Sequence, residues 1–279
     1  MRIALAQIIS SANPVENLSL IRRYTSEAAG RGAGLVVFPE AAMCAFGNPV
    51  AEAAEPLEGP WAAGVRELAR EFGVTIVAGM FTPGTGGRVK NTLLVAGPAV
   101  DARYEKIHLY DAFGFAESES VEPGTGIGTF ELDGTLFGLA TCYDVRFPQL
   151  FTANADAGAS VSIVCASWGA GPGKAEQWDL LVRARALDST SFVLACGQGD
   201  PSTAGADAAG GAPTGIGRSA VISPLGEVVE RLDGGAGLLV ADLDLGAVDK
   251  VRAILPVLAN RRGIVAGQVV PETPAAPSR

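Results

Sequence analysis

The chain has 279 residues, 48% of them apolar, which is enough to bury a sizeable core and too apolar for a disordered chain. Acidic residues (30) outnumber basic ones (21), and a net charge of −9 argues against nucleic acid or an anionic membrane surface as a partner. The single histidine, His108, rules out a His-rich zinc site and would have to serve any Cys-His or Ser-His-Asp mechanism, so a hydrolase on this chain is expected to use another base.

In chain order, Arg2–Ile9 reads as an apolar strand. Asn13-Pro14-Val15-Glu16 then offers a helix start, with a capping side chain, proline at the first position and glutamate at the third. Leu18, Ile21, Thr25 and Ala28 follow at helical spacing. Leu35–Phe38 is a second buried strand ending in Pro39-Glu40. Pro60–Phe72 is a helix with Val65, Leu68, Ala69 and Phe72 on one face, and Val74–Met80 a further strand. Asn91–Ala96 and Ala102–Glu105 are strands leading to Lys106, while Asp111–Gly126 shows no period and reads as a long loop. Gly128–Leu132 and Leu136–Thr141 flank Asp133-Gly134, a strong hairpin signal.

Cys142 follows the apolar run of Leu136–Thr141. The sequence predicts a sharp turn there and then a helix to about Ala157, with Asp144 as its cap and Pro148 in its first turn. A positive helix end at this point favours a thiolate. Ser160–Cys165, Lys174–Ser189 and Phe192–Cys196 read as strand, helix and strand. Asp200–Thr214 is a Gly- and Ala-rich surface loop with high expected mobility. Ser219–Ile222, Val228–Leu232 and Leu238–Asp242 are strands, and Asp244–Ala253 a short helix. This alternation implies an α/β or α+β layered fold with large mixed sheets. The Arg31–Glu40 stretch recurs loosely at Ala157–Trp168, a hint of two related halves. No linker-like composition divides the chain, so residues 1–267 are read as one domain and residues 268–279 as a frayed tail. No apolar run is long enough to span a bilayer, and the first residues lack a secretory signal, so a cytoplasmic protein is expected. Cys44, Cys142, Cys165 and Cys196 are widely spaced and read as free thiols.

Glu40, Lys106 and Cys142 each stand at the carboxyl end of an apolar strand, where α/β sheets gather catalytic groups. A carboxylate, an ammonium and a thiol form a working set of base, cation and nucleophile. Read by residue type alone, the same positions also fit a rim ion pair and a buried small apolar cysteine.

Three motifs extend this reading: Leu35-Val36-Val37-Phe38-Pro39-Glu40, Tyr104-Glu105-Lys106-Ile107-His108-Leu109, and Gly138 to Pro148 around Cys142. Together and in this order they resemble the nitrilase superfamily of carbon–nitrogen hydrolases, over roughly Arg2 to Gly267. Asn91-Thr92, Ala166-Ser167-Trp168, Trp178 and Gly217-Arg218-Ser219 look like supporting stretches. The resemblance implies a four-layer α-β-β-α sandwich, Cys142 as nucleophile, Glu40 as general base, and Lys106 with the Tyr143 N–H as oxyanion donors. It also implies a second glutamate, best matched by Glu117, with Glu119 and Glu122 as neighbouring alternatives. His108 matches the family's Lys-x-His pattern in a supporting role.

Tyr143, Arg146 and Trp168 are candidates for the substrate pocket: Arg146 for a substrate carboxylate or a helix-surface ion pair, Trp168 for the pocket or the core. The implied reaction is amide hydrolysis through a thioester, without metal or organic cofactor, on a small-molecule amide, in a homodimer or larger homo-oligomer. The compact amidase branch that includes omega-amidase and deaminated glutathione amidase is the expected neighbourhood. An N-carbamoyl amidohydrolase, a nitrilase and a catalytically silent binding protein are the alternatives.

Overall fold

The computed structural model describes residues 1–112, 114–205 and 212–262. Its first sheet begins with β1 (Arg2–Gln7), which alternates large and small: Ile3 and Leu5 point into the space between the two sheets, Ala4 and Ala6 towards helices. Helix α1 (Pro14–Gly30) starts as the sequence predicts, with Asn13 accepting from the Val15 N–H at 3.0 Å and Pro14 in the first turn. It is followed by β2 (Leu35–Val37), the short α2 (Val50–Ala53), α3 (Pro60–Phe72), β3 (Thr75–Pro83), β4 (Val89–Ala96) and β5 (Asp101–Glu105). β1, β2 and β3 are parallel, and β4 and β5 add antiparallel to them.

A two-stranded ribbon, β6 (Asp111–Ala112) and β7 (Phe115–Ala116), stands apart from this sheet. It lies within Asp111–Gly126, the segment that reads from sequence as a long loop. Two-residue strands are too short to show a period, which is why the pattern missed them.

The second sheet repeats the plan. β8 (Gly128–Leu132) and β9 (Thr135–Thr141) form the expected hairpin; Asp133 and Gly134 both take positive φ (49° and 73°), as a type I′ turn requires. Then come α4 (Pro148–Asp156), β10 (Val161–Ala166), α5 (Lys174–Ser189) and β11 (Phe192–Gly197), with β9, β10 and β11 parallel. β12 (Ala220–Ile222) and β13 (Val228–Arg231) add antiparallel, while β14 (Gly237–Asp242) crosses over to pair with β1. Helices α6 (Gly246–Ile254) and α7 (Val257–Asn260) follow. The resulting sheet orders are β14-β1-β2-β3-β4-β5 and β13-β12-β11-β10-β9-β8. The two related halves hinted at in the sequence are therefore two β-α-β-α-β units of like topology.

The sheets pack face to face through Ile3, Leu5, Val37 and Val77 on one side and residues such as Phe137 and Leu139 on the other. Helices α1 and α3 cover the outer face of the first sheet, with Ile21, Trp61, Val65 and Leu68 against Ala6, Ala78 and Met80. Helix α5 packs Trp178, Val182 and Ala186 on the second. This is the four-layer α-β-β-α sandwich.

Two expectations near Cys142 need correction. The helix does not begin there: residues Cys142–Arg146 form a 3₁₀ turn, and α4 begins only at Pro148. Asp144 does not cap α4. It is fully buried and bonded elsewhere, and the residue before α4 is Phe147, without a side-chain cap. The tail, and residues 206–211 of the Gly- and Ala-rich 200–214 stretch, lie outside the described residues. Among the described residues no helix is long and apolar enough to cross a membrane.

Candidate active site

Glu40 follows β2 by three residues. Phe38 still belongs to the ladder, its N–H bonding Val77 O at 2.7 Å, and the chain then turns sharply with Ala41 at φ 57°. Gly79 in β3 permits the turn: a Cβ there would stand 2.7 Å from Ala41 N and 2.8 Å from Glu40 Cα. Glu40 is completely buried. Lys106 leaves the end of β5, its N–H bonding Asn91 O at 2.9 Å, and Glu117 opens a 3₁₀ turn directly after β7.

The three side chains meet. Lys106 Nζ lies 3.0 Å from Glu40 Oε1 and 2.9 Å from Glu117 Oε2. Asn91 Nδ2 donates to Glu40 Oε1 at 2.7 Å and reaches Glu117 Oε1 at 3.4 Å. The Ser167 N–H donates to Glu40 Oε2 and the Tyr110 N–H to Glu117 Oε2, both at 2.7 Å. Among the three glutamates of this loop, Glu119 is exposed and Glu122 accepts from Thr85 on the outside, so Glu117 is the one brought to Lys106.

Cys142 completes the group from the second sheet, its Sγ 3.8 Å from Ser167 O. It holds φ at +46°, a left-handed conformation that costs a non-glycine residue of order 1–3 kcal/mol and persists only where its surroundings enforce it.

The electrostatics of this group follow from its burial and its charge count: two carboxylates, both nearly or fully buried, share one ammonium. Burial raises the pKa of Glu40, with Lys106 pulling down and Glu117 pushing up. Burial alone would lower that of Lys106, but Glu40, Glu117 and Cys142 outweigh it and hold the ammonium well above its ordinary value. Burial and Glu40 push the Cys142 thiol well above its usual range, against the pull of Lys106. This upward push runs against the expectation that the turn favours a thiolate. The strand end is followed by a 3₁₀ turn instead of a helix, and burial dominates, reinforced by the Glu40 carboxylate.

Glu40, Lys106, Glu117 and Cys142 line a cavity of about 540 Å³. Tyr143 and Trp168 line it too. Trp168 is also buried against Trp178, with ring centroids 5.3 Å apart, so its pocket and core readings both apply. Arg146 is not among the lining residues. Its guanidinium lies over the Trp168 ring at 5.1 Å and donates to Gln177 at 2.7 Å, so it props the wall. Besides Lys106, the wall carries Lys174, 5.4 Å from the Tyr110 ring centroid.

A family model described as carbon-nitrogen hydrolase matches residues 2–253. The chain belongs to the carbon–nitrogen hydrolase family. It is 55% identical over 271 residues to a hydrolase of Mycobacterium tuberculosis (strain ATCC 25618 / H37Rv), covering 95% of this chain and 97% of that one. It is 34% identical over 268 residues to the deaminated glutathione amidase of Escherichia coli O157:H7, covering 94% and 97%. Among solved structures, an amidase from Nesterenkonia sp. AN1, in a variant carrying acrylamide added at its active-site cysteine, superposes with a TM-score of 0.75. It is 26% identical and covers 92% of this chain and 98% of that one. The chain is thus a carbon–nitrogen hydrolase with amidase relatives.

Some of the residues the fold brings into this site had weak sequence signals. Asn91 shows in the sequence only as part of a supporting stretch, although an asparagine among the apolar residues of β4 calls for a buried partner. Ser167 and Tyr110 act through backbone N–H groups, which leave no trace in side-chain identity.

Proposed function

We propose that the protein hydrolyses a small-molecule amide to a carboxylate and ammonia through a thioester on Cys142. The observation that carries this reading is the buried Glu40–Lys106–Glu117 cluster lining the same cavity as Cys142. As the Cys142 Sγ–carbon bond forms, the thiol proton passes to Glu40, whose raised pKa suits it to take that proton and hand it on. The amide oxygen gains the electron pair and is stabilised by Lys106 Nζ and the Tyr143 N–H. The pair returns, the C–N bond breaks, and Glu40 gives its proton to the leaving nitrogen. Water then attacks the thioester and loses a proton to Glu40. The S–C bond breaks, and the proton returns to sulfur. Glu117 holds the lysine on its far side throughout. A cavity of this volume suits a small molecule.

The test is ammonia release from a panel of small amides, carbamoyl amino acids and nitriles, each run beside Cys142→Ala. We expect release from amides that the variant loses entirely. Release from carbamoyl compounds or nitriles alone would move the assignment within the family. Turnover retained in Cys142→Ala would remove the thioester.

A further inference from the structure

Around the buried Asp144 lies a cluster that the proposed reaction does not use. Asp144 is fully buried and accepts four hydrogen bonds. Its Oδ2 takes the Thr141 N–H at 2.8 Å and the Tyr104 hydroxyl at 2.7 Å; its Oδ1 takes the His108 N–H at 3.0 Å and faces His108 Nδ1 at 2.7 Å. Facing a carboxylate oxygen, Nδ1 carries the proton. The His108 ring stacks on Phe147, centroids 3.6 Å apart and planes 6° from parallel. None of Tyr104, His108, Asp144 and Phe147 lines the cavity.

The connectivity of this cluster has a direction. Thr141 precedes the nucleophile and Asp144 follows it by two residues, so their bond closes a small loop around Cys142 and its left-handed φ. Tyr104 and His108 flank Lys106, two residues to either side. One carboxylate, two residues after Cys142, therefore ties the Thr141 N–H just before the nucleophile to the Tyr104 hydroxyl and the His108 N–H on either side of Lys106, across the gap between the two sheets.

We infer that Asp144, held by His108 and Tyr104, is a positioning residue that sets Cys142 Sγ against Lys106, and that the His108 side chain serves the reaction through this bond. The inference rests on Cys142 being the nucleophile. It concerns geometry that a thiol probe reads without any amide substrate.

The experiment uses the full chain and three variants. His108→Phe keeps a ring to stack on Phe147 and loses the donor. His108→Asn loses the ring and keeps a donor near the Nδ1 position. Tyr104→Phe removes one hydroxyl from Asp144 Oδ2. Each is read by kcat and KM on the best amide, and by the rate at which iodoacetamide alkylates Cys142, followed by mass of the Cys142 peptide. For His108→Phe we expect kcat and the alkylation rate to fall together by about 10- to 100-fold, with KM within about twofold, the cost of a small misplacement. His108→Asn should recover most of that loss, and Tyr104→Phe should fall in the same direction. Wild-type rates in His108→Phe, or equal losses in His108→Phe and His108→Asn, would overturn the role of the bond. If His108→Phe fails to fold, Tyr104→Phe decides alone, and unchanged rates there overturn it. A wild type that alkylates at Cys142 but turns over no amide would sink the amidase reading while leaving the alkylation comparison valid.

Discussion

At the scale of single residues, the proton balance of the site follows from burial together with an excess of negative charge. Burial first, and then the carboxylate left over once Lys106 has neutralised one, leave both Glu40 and Cys142 reluctant to ionise. The base must be ionised to accept the thiol proton, so kcat/KM should fall as pH drops through the Glu40 pKa, above the ordinary carboxylate value. Because the folded chain holds that proton more tightly than the unfolded one, the Glu40 contribution to stability declines as pH rises through the same window. Asn91→Asp sharpens the test by placing a third carboxylate beside Glu40. Its acid limb should move up by about one pH unit, a tenfold loss of kcat/KM below the limb. A pH–rate profile with an unmoved limb would assign that limb to another group.

At the scale of elements, the site depends on how closely two pieces of backbone can approach. The turn carrying Glu40 lies directly on β3 because Gly79 has no side chain, and the β4–β5 register pairs Thr92 with Glu105, so that Asn91 and Lys106 meet. Gly79→Ala should push the Glu40 turn away from β3. We expect a stability loss of about 1–3 kcal/mol in urea, typical of overpacking, and a larger proportional loss of kcat. Full activity with unchanged stability would mean that β3 yields instead. The β6–β7 ribbon works similarly for Glu117, whose carboxylate returns to the Tyr110 N–H at the foot of the ribbon.

At the scale of the whole molecule, the two sheets share one core, and the site sits where their strand ends converge. Gln198, after β11 of the second sheet, donates to Glu40 O at 3.0 Å, and Ser167, after β10, donates to its carboxylate. Such sharing predicts that the sheets unfold together. Phe137, fully buried and stacked on Phe130 at 5.0 Å, belongs to the second sheet, and Leu5 to the first. Phe137→Ala should cost about 3–5 kcal/mol and Leu5→Ala about 2–5 kcal/mol. Both should shift one common urea transition seen by fluorescence and circular dichroism. Two separable transitions would contradict a shared core.

Local pattern was enough for much of this protein. Helices Pro60–Phe72 and Lys174–Ser189 and strand Gly128–Leu132 have the bounds their apolar spacing, caps and turns predict, because those signals act within a few residues. The strand-end placement of Glu40, Lys106 and Cys142, with their motif order, was enough to name the family and the layered fold. Other features arise between segments far apart in the chain. The choice of Glu117 over Glu119 and Glu122 was decided by a ribbon too short to show a period. Asp144 became a buried tie instead of a helix cap because Tyr104 and His108 reach it from another sheet. Arg146 stands behind Trp168 and not in the cavity, and the Cys142 thiol is pushed above its usual range, because a side chain's neighbours and its loss of water are set only when the two sheets close.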